Sequence, residues 1–180
     1  MRRVLGLFVL LSCAAVAVAC SNARSAPDFI LRDDGGNPWR LSQQRGSAVL
    51  LTFGFTHCAD TCPAMLAKLA RCTASLHART NEVEVVFVTI DPRRDTTTVM
   101  HRFISRFVQP GESRLVGLTG TPGEIEAVER AYHIWSQHSS SDIAHTAVIF
   151  LIDPLGRIRD VRDDDDSQKS LAGEVEKILG

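Results

Sequence analysis

The stretch SAVLLTFGFTHCADTCPAMLAKLA, residues 47–70, begins with an almost unbroken apolar run and continues into a segment that carries two cysteines. Such a run is typical of a central β-strand that is buried on both faces of its sheet. Pro63 suits the first turn of a helix, where the missing N–H group costs no hydrogen bond. We therefore predict a buried strand that ends just before Cys58 and a helix that begins near Cys62.

The rest of the chain alternates between strands and helices. Two short strands are predicted around the Gly35-Gly36 turn, and three further apolar runs, residues 82–91, 113–120 and 145–153, each predict a strand. Three further helices are predicted from apolar residues at helical spacing: Val99, Phe103 and Phe107; Ile125, Val128 and Tyr132; and Leu171, Val175 and Ile178.

This order of elements indicates the fold class. Alternating strands and helices form parallel strand pairs with right-handed crossovers, and a closing hairpin adds antiparallel strands. We predict one α/β domain over residues 27–180. It has a thioredoxin-like mixed sheet flanked by helices, with an N-terminal β-hairpin and an inserted βα unit.

The first residues resemble an export signal. Arg2 and Arg3 precede an apolar run, residues 4–19, that is shorter than the roughly 20 residues that span a bilayer comfortably. VAVAC, residues 16–20, looks like a bacterial lipobox. We predict that residues 1–19 are a signal peptide, that residues 20–26 are a linker, and that lipidated Cys20 anchors an exported protein on the periplasmic side of a bacterial membrane. An uncleaved membrane anchor and an ordinary secreted protein are the alternatives.

The charge balance argues against a nucleic-acid partner. The chain carries 20 Lys and Arg residues against 21 Asp and Glu residues, without the basic stripe that a phosphate backbone requires. The acidic run at residues 163–166 predicts a solvated loop ahead of a helix, with a docking patch or a weak cation site as alternatives.

The five cysteines reduce to one pair of functional candidates. Cys13 lies in the signal peptide, and Cys20 is taken by the lipobox. Cys72 shares a helical stripe with Met65, Leu69 and Leu76, so we expect it to be buried and inert. Cys58 and Cys62 remain. At the start of a helix, unpaired N–H groups favour thiolates, which both disulfide exchange and soft-metal binding need.

The spacing of this pair favours a metal. Residues four apart on a helix have Cβ atoms about 5–6 Å apart, whereas a relaxed disulfide needs about 3.8 Å. A disulfide can still form if Cys58 lies in the loop, but the wider gap suits two sulfurs that converge on one ion.

His145 is the candidate for a third ligand. It opens the predicted strand at residues 145–153, which should run antiparallel to the strand that ends before Cys58, so His145 should face the cysteine loop. The alternative is a histidine that only caps a strand edge. We expect the side chain of His57 to point away from the cysteines because successive side chains alternate along extended backbone. His133 and His138 flank a polar loop and are the next candidates.

Three motifs together resemble the Sco/SenC family of copper-binding proteins: FGFTHCADTCP, VTIDPRRDT and AHTAVIFLIDPLGRI. That family has a thioredoxin-like fold and assembles the binuclear copper site of cytochrome c oxidase. The resemblance implies copper, as Cu(I) or Cu(II), bound by Cys58, Cys62 and His145. It also implies the copper-accepting oxidase subunit as partner, with another periplasmic copper carrier as a further candidate.

The chain departs from the family pattern at two positions. Ala59 replaces a usual proline, and Ala144 replaces a usual aspartate that would orient the imidazole. Asp91 and Asp95 match the family motif, and we interpret them as a strand end and a helix N-cap.

Two functions are consistent with these residues. The first is a metallochaperone that is not itself a catalyst. The second is a thiol–disulfide oxidoreductase that keeps the cysteines of a copper acceptor, or of another exported protein, reduced. In that case Cys58 would be the attacking thiol and Cys62 the resolving one. His145 separates the two, because a copper site requires it and a dithiol reductant does not.

Overall fold

The computed structural model describes residues 24–108, 114–139, 142–163, 165 and 167–180. The predicted signal peptide and Cys20 therefore lie outside the described residues, as do two of the four residues in the acidic run. The strands are β1 (Arg24–Ser25), β2 (Ile30–Asp33), β3 (Pro38–Arg40), β4 (Ala48–Gly54), β5 (Val83–Thr89), β6 (Arg114–Thr119), β7 (Ser136–His138), β8 (Ile143–His145), β9 (Val148–Ile152) and β10 (Arg157–Asp163). The α-helices are α1 (Thr61–Ala74), α2 (Thr97–Ile104), α3 (Pro122–Ala131) and α4 (Gln168–Leu179). Short 3-10 helices cover Leu41–Gln44 and His77–Glu82.

Strand β4 lies at the centre of the fold. Within the described residues, one mixed sheet has the order β1-β10-β9-β4-β5-β6-β2-β3, in which β4 runs parallel to β5 and antiparallel to β9. Every residue of β4 and β5 is buried, as expected for central strands covered on both faces. The thioredoxin-like fold, a mixed sheet flanked by helices, is confirmed.

The predicted hairpins are present at both ends of the domain. Strands β2 and β3 pair antiparallel near the N-terminus, and β9 and β10 form the later hairpin. Gly36 has φ +89° in the first turn, a conformation that glycine adopts without steric cost.

Two hydrophobic clusters cover the two faces of the sheet. One contains Val49, Leu51 and Phe53 of β4, and the other contains Leu50 together with residues of α1 and α4. The predicted stripe on α1 is buried in the second cluster, where Cys72 is 0% exposed. Burial also raises the pKa of the Cys72 thiol to about 11. The prediction that Cys72 is a buried core residue is confirmed.

The predicted strand at residues 145–153 is wrong in its first part. His145 ends the short strand β8, which pairs with β7 in a separate two-stranded sheet, and the strand that pairs with β4 begins at Val148. The backbone of Thr146 explains the break. Its N–H group donates to the Trp135 carbonyl at 2.9 Å, and its hydroxyl accepts from the Trp135 N–H group at 3.2 Å. These bonds hold the chain beside β7 rather than β4.

Among the described residues, none of the helices has the length and apolar character needed to cross a membrane.

Candidate metal centre

The two candidate cysteines meet where β4 ends and α1 begins. The backbone N–H group of Cys58 donates to the Phe55 carbonyl at 3.3 Å, which closes a turn directly after the strand. In the first turn of α1, the N–H group of Cys62 donates to the Cys58 sulfur at 3.3 Å. That N–H group belongs to a helix start, where it has no partner within the helix. The Cys58 sulfur therefore takes the place of a capping group, and both cysteines are free thiols.

The two sulfurs differ in their surroundings. Cys58 is half-buried, whereas Cys62 is 3% exposed and belongs to the core under α1. Burial raises the pKa of Cys62 to about 12, against an opposing hydrogen bond from the Phe55 backbone. Cys58 and the charge of Asp95 raise it further. Cys62 is therefore a protonated thiol at neutral pH unless an ion or a disulfide takes the place of the proton.

Gly54 makes room for the Cys62 sulfur. A Cβ atom at this position would lie 2.7 Å from the sulfur and 2.8 Å from the Phe87 ring. Both distances are shorter than real contacts of a Cβ atom, so the last residue of β4 must be glycine for the sulfur to lie against the strand.

Asp95 stabilises the cysteine loop through hydrogen bonds. Its predicted role as a helix N-cap is wrong. Thr96 is the N-cap of α2. Asp95 is fully buried. Its carboxylate accepts hydrogen bonds from the Thr56 N–H group at 3.0 Å, the Thr56 hydroxyl at 2.5 Å and the Thr89 hydroxyl at 2.6 Å. Because Thr56 precedes Cys58 by two residues, these bonds fix the approach to the first sulfur.

His57 lies over the same loop. Its Nδ1 atom is 3.6 Å from an Asp95 oxygen and 3.2 Å from the Thr56 hydroxyl. With Asp91 and Asp95 it forms the only group of three potential ligands within 4.8 Å of one another among the described residues, and no cysteine belongs to this group. Both carboxylates already have partners outside the group, since Asp91 pairs with Arg94 and Asp95 accepts from the two threonines. We therefore interpret it as part of the scaffold of the loop.

His145 lies at the same edge of the domain as the cysteines, beside Phe55, and we call this edge, at the carboxyl end of β4, the rim. Its ring stands edge-on to the Phe55 ring, with 6.0 Å between the ring centroids. Its Nδ1 atom is 2.9 Å from the Thr146 carbonyl oxygen. A carbonyl only accepts, so Nδ1 donates and Nε2 keeps its lone pair for a ligand. The Thr146 carbonyl thus orients the imidazole, a role that the family's aspartate would have at Ala144.

The three predicted ligands lie at the same end of β4, but their ligand atoms are not arranged around a single metal position. The two sulfurs and the His145 ring nitrogens are not all within 4.8 Å of one another. Bonds of about 2.0–2.3 Å to one metal ion bring ligand atoms within about 4.6 Å of each other. An ion held by all three residues would therefore require their ligand atoms to move closer together.

The roles of three supporting residues are not predicted by the sequence pattern. Gly54 and Phe55 were part of the apolar strand pattern and Thr56 directly follows it. Their contacts to Cys62, His145 and Asp95 join residues that are not neighbours along the chain. The glycine directly after a run of large apolar residues was the one available signal, since a glycine inside a strand often marks a close approach.

The fold and this rim define a class of protein: a thioredoxin-like domain in which two cysteines and a histidine gather at the carboxyl end of the central strand. The chain belongs to the SCO1/SenC family, whose family model matches residues 19–180.

Individual relatives agree with this assignment. The chain is 38% identical over 141 residues to the mitochondrial protein SCO2 homolog of Bos taurus, covering 74% of this chain and 52% of that protein. It also resembles the crystal structure of Arabidopsis thaliana ScoI with copper bound, at 32% identity and a TM-score of 0.77, covering 85% of this chain and 97% of the other. The structure of Bradyrhizobium japonicum ScoI with copper bound gives 28% identity and a TM-score of 0.76, covering 87% of this chain and 100% of the other.

Copper is thus the metal bound in solved structures of homologous Sco proteins. The chain spans about half the length of curated relatives such as the SCO2 homologs of Bos taurus and Mus musculus.

Proposed function

We propose that this protein is a copper chaperone that binds copper through Cys58, Cys62 and His145 and delivers it to the binuclear copper site of cytochrome c oxidase. The observation that carries the proposal is the shared contact with Phe55. Its carbonyl accepts the hydrogen bond from the Cys58 N–H group, and its ring stands against His145. Family membership and the copper in the homologous structures support copper as the cargo.

The donor set fits this metal. Two thiolates and an imidazole are soft to borderline ligands that suit Cu(I), and they can retain Cu(II) when a fourth donor joins. The half-buried Cys58 sulfur is open to an incoming ion, while the buried Cys62 sulfur closes the site from below. Both cysteines must lose their protons to bind, so copper uptake releases protons.

The partner and the location follow from the same proposal. The acceptor is the copper-accepting subunit of cytochrome c oxidase, and another periplasmic copper carrier is the candidate donor. We further propose that lipidated Cys20 holds the protein at the periplasmic side of a bacterial membrane. A Cys20→Ser variant should then leave the membrane fraction. If it stays membrane-bound and uncleaved, the N-terminal segment is a transmembrane anchor instead.

Copper titration of the reduced protein, followed by absorption and native mass spectrometry, tests the metal site. We expect one copper per chain in the wild type and loss of that copper in Cys58→Ser and in Cys62→Ser. Cys72→Ala is the matched control, because it removes the remaining thiol of the domain, which is buried on α1 away from the loop. It should keep the copper and lose some stability through the cavity it leaves. Loss of copper in Cys72→Ala without unfolding would show that the wrong thiols were paired.

His145 separates copper delivery from thiol–disulfide exchange. The His145→Ala variant keeps both thiols and should still form and reduce a Cys58–Cys62 disulfide. Oxidase assembly in cells that carry only this variant should fail if copper delivery is the function. Normal assembly would favour the thiol–disulfide oxidoreductase.

A further inference from the structure

A shallow basic groove lies beside the cysteine loop. It has a volume of about 300 Å³ and is lined by Thr56, His57, Val99, Arg102, Phe103 and Arg106. Thr56 and His57 directly precede Cys58. One side of the groove is therefore formed by the loop that carries the candidate copper ligand. None of the lining residues is acidic.

The two arginines of this groove have no acidic partner among the described residues. No carboxylate lies within ion-pair distance of Arg102 or Arg106 there, whereas arginines such as Arg40 and Arg79 are paired at 2.9 Å and 3.0 Å. Asp95 lies behind the groove, but it is fully buried and bonded to two threonines. The two exposed guanidinium groups therefore present their charge to the solvent.

Arg106 is held in place rather than free to move. Its guanidinium lies 4.5 Å from the centre of the Phe103 ring and 5.6 Å from that of Phe107. Its Nε–H group donates to the Phe103 carbonyl at 3.3 Å. Stacking of this kind positions a cation at little further entropic cost when a partner binds.

We propose that this groove is the docking surface for an acidic protein partner, whose carboxylates pair with Arg102 and Arg106 while its metal-accepting residues lie over Cys58. The inference rests on the proposed function, because it takes the copper acceptor as that partner. A local positive surface on a chain with a net charge of −1 steers an acidic surface to this rim and orients it there.

The test uses the copper-accepting domain of the host's cytochrome c oxidase subunit as the probe and full-length protein in detergent micelles. Association is measured by stopped-flow mixing at low and at high ionic strength, with both proteins free of copper. Arg102→Gln/Arg106→Gln should slow association about tenfold at low salt and should flatten its dependence on salt. Arg79→Gln/Lys169→Gln removes the same charge at the opposite end of α1 and should behave like the wild type. Arg102→Gln alone leaves the Arg106 stack intact and should give a smaller effect in the same direction.

The outcomes separate this inference from the proposed function. Equal association by the groove variant and the control variant overturns the docking surface, as does a wild type that forms no complex with the acceptor domain. If the groove variant keeps the acceptor but loses binding to vesicles of phosphatidylglycerol, the groove contacts a membrane and the proposal is wrong. Copper titration of the same variants judges the metal site independently, and the groove variant should bind copper as the wild type does.

Discussion

Phe55 and His145 stand edge to face, with 6.0 Å between their ring centroids. Phe55 directly follows β4, whereas His145 ends β8, far away in sequence. The carbonyl of Phe55 also accepts the hydrogen bond from the Cys58 N–H group that closes the cysteine turn. One residue thus joins the dithiol loop to the strand that carries the imidazole. We therefore expect a displacement of the cysteine loop to shift the His145 side chain, and the reverse.

Replacement of His145 by alanine should weaken Cu(II) binding more than Cu(I) binding. Two thiolates can hold Cu(I) in near-linear geometry, whereas Cu(II) needs more donors. The affinity for Cu(II) should fall by more than the roughly 10–100-fold that is typical when a residue hydrogen-bonded to a metal ligand is removed. Competition with a chelator for each oxidation state measures the effect. His138→Ala, which removes an exposed imidazole from β7, is the control. An unchanged Cu(II) spectrum in His145→Ala would refute the ligand assignment.

Replacement of Gly54 by alanine should displace the Cys62 sulfur. The added Cβ would lie 2.7 Å from that sulfur, and overpacking of this kind typically costs about 1–3 kcal/mol of unfolding free energy. Copper affinity should fall with it. Gly173→Ala is the matched control, since a Cβ there meets nothing within 4 Å, and a glycine in a helix costs roughly 0.5–1 kcal/mol relative to alanine. Urea unfolding and copper titration together check the pair. Full copper affinity in Gly54→Ala would contradict the tight packing.

Replacement of Asp95 by asparagine should weaken copper binding without touching a ligand. Asparagine keeps only one of the two side-chain oxygens, so either the Thr56 hydroxyl or the Thr89 hydroxyl loses its acceptor, and a buried group left without a partner costs about 1–3 kcal/mol. Because Thr56 leads into Cys58, a looser loop should lower copper affinity about 10–100-fold. Thr96→Ala removes the true N-cap of α2 and should cost about 1 kcal/mol of stability with unchanged copper affinity. Equal copper affinities in the two variants would reduce Asp95 to a purely structural residue.

The three thiols of the domain should react in a fixed order with iodoacetamide. Cys58 is half-buried, whereas Cys62 and Cys72 are buried thiols whose pKa values are raised to about 12 and about 11. At pH 8 the thiolate fraction of Cys62 is roughly 10⁻⁴ from its raised pKa. Peptide mapping by mass spectrometry should therefore find the label on Cys58 first, and on the other two only after unfolding in guanidinium. Native labelling of Cys62 as fast as Cys58 would contradict its burial.

Glu84 should make the stability of the protein depend on pH. Burial raises the pKa of this carboxyl above its ordinary value, against the opposing charge of Arg114, and its Oε2 atom has no hydrogen-bond partner among the described residues. The folded state then holds the proton more tightly than the unfolded state. Its contribution to stability is complete below about pH 4.5 and is lost as pH rises through the folded pKa.

The Glu84→Gln variant stays neutral and should escape this loss. Its melting temperature should rise relative to the wild type between pH 4 and pH 8, as followed by thermal unfolding at several pH values. Glu82→Gln, at an exposed position two residues earlier, should show a much flatter difference. A difference for Glu84→Gln that does not change with pH would show that the carboxyl is not the cause.

The sequence by itself determined the central strand, the cysteine helix, the hairpins and the burial of Cys72. Each of these follows from a local pattern: unbroken apolar runs for strands covered on both faces, and a stripe at helical spacing for α1. The sequence also predicted Cys58 and Cys62 as a pair with His145 near their loop, but it placed His145 on the strand that pairs with β4, whereas His145 ends β8.

Only the tertiary structure decided how the rim is held. Thr146 bonds to Trp135 and so ends β8 before β9 begins, and Asp95 accepts bonds from Thr56, 39 positions earlier, rather than capping the helix that follows it. Because Gly54 has no side chain, the sulfur of Cys62, eight residues later, can lie against it. These contacts join residues of different strands, helices and loops, which a local sequence pattern does not relate to one another. A hydrogen bond or a steric clash depends on positions in space, and a periodic pattern carries information only about the residue's own element.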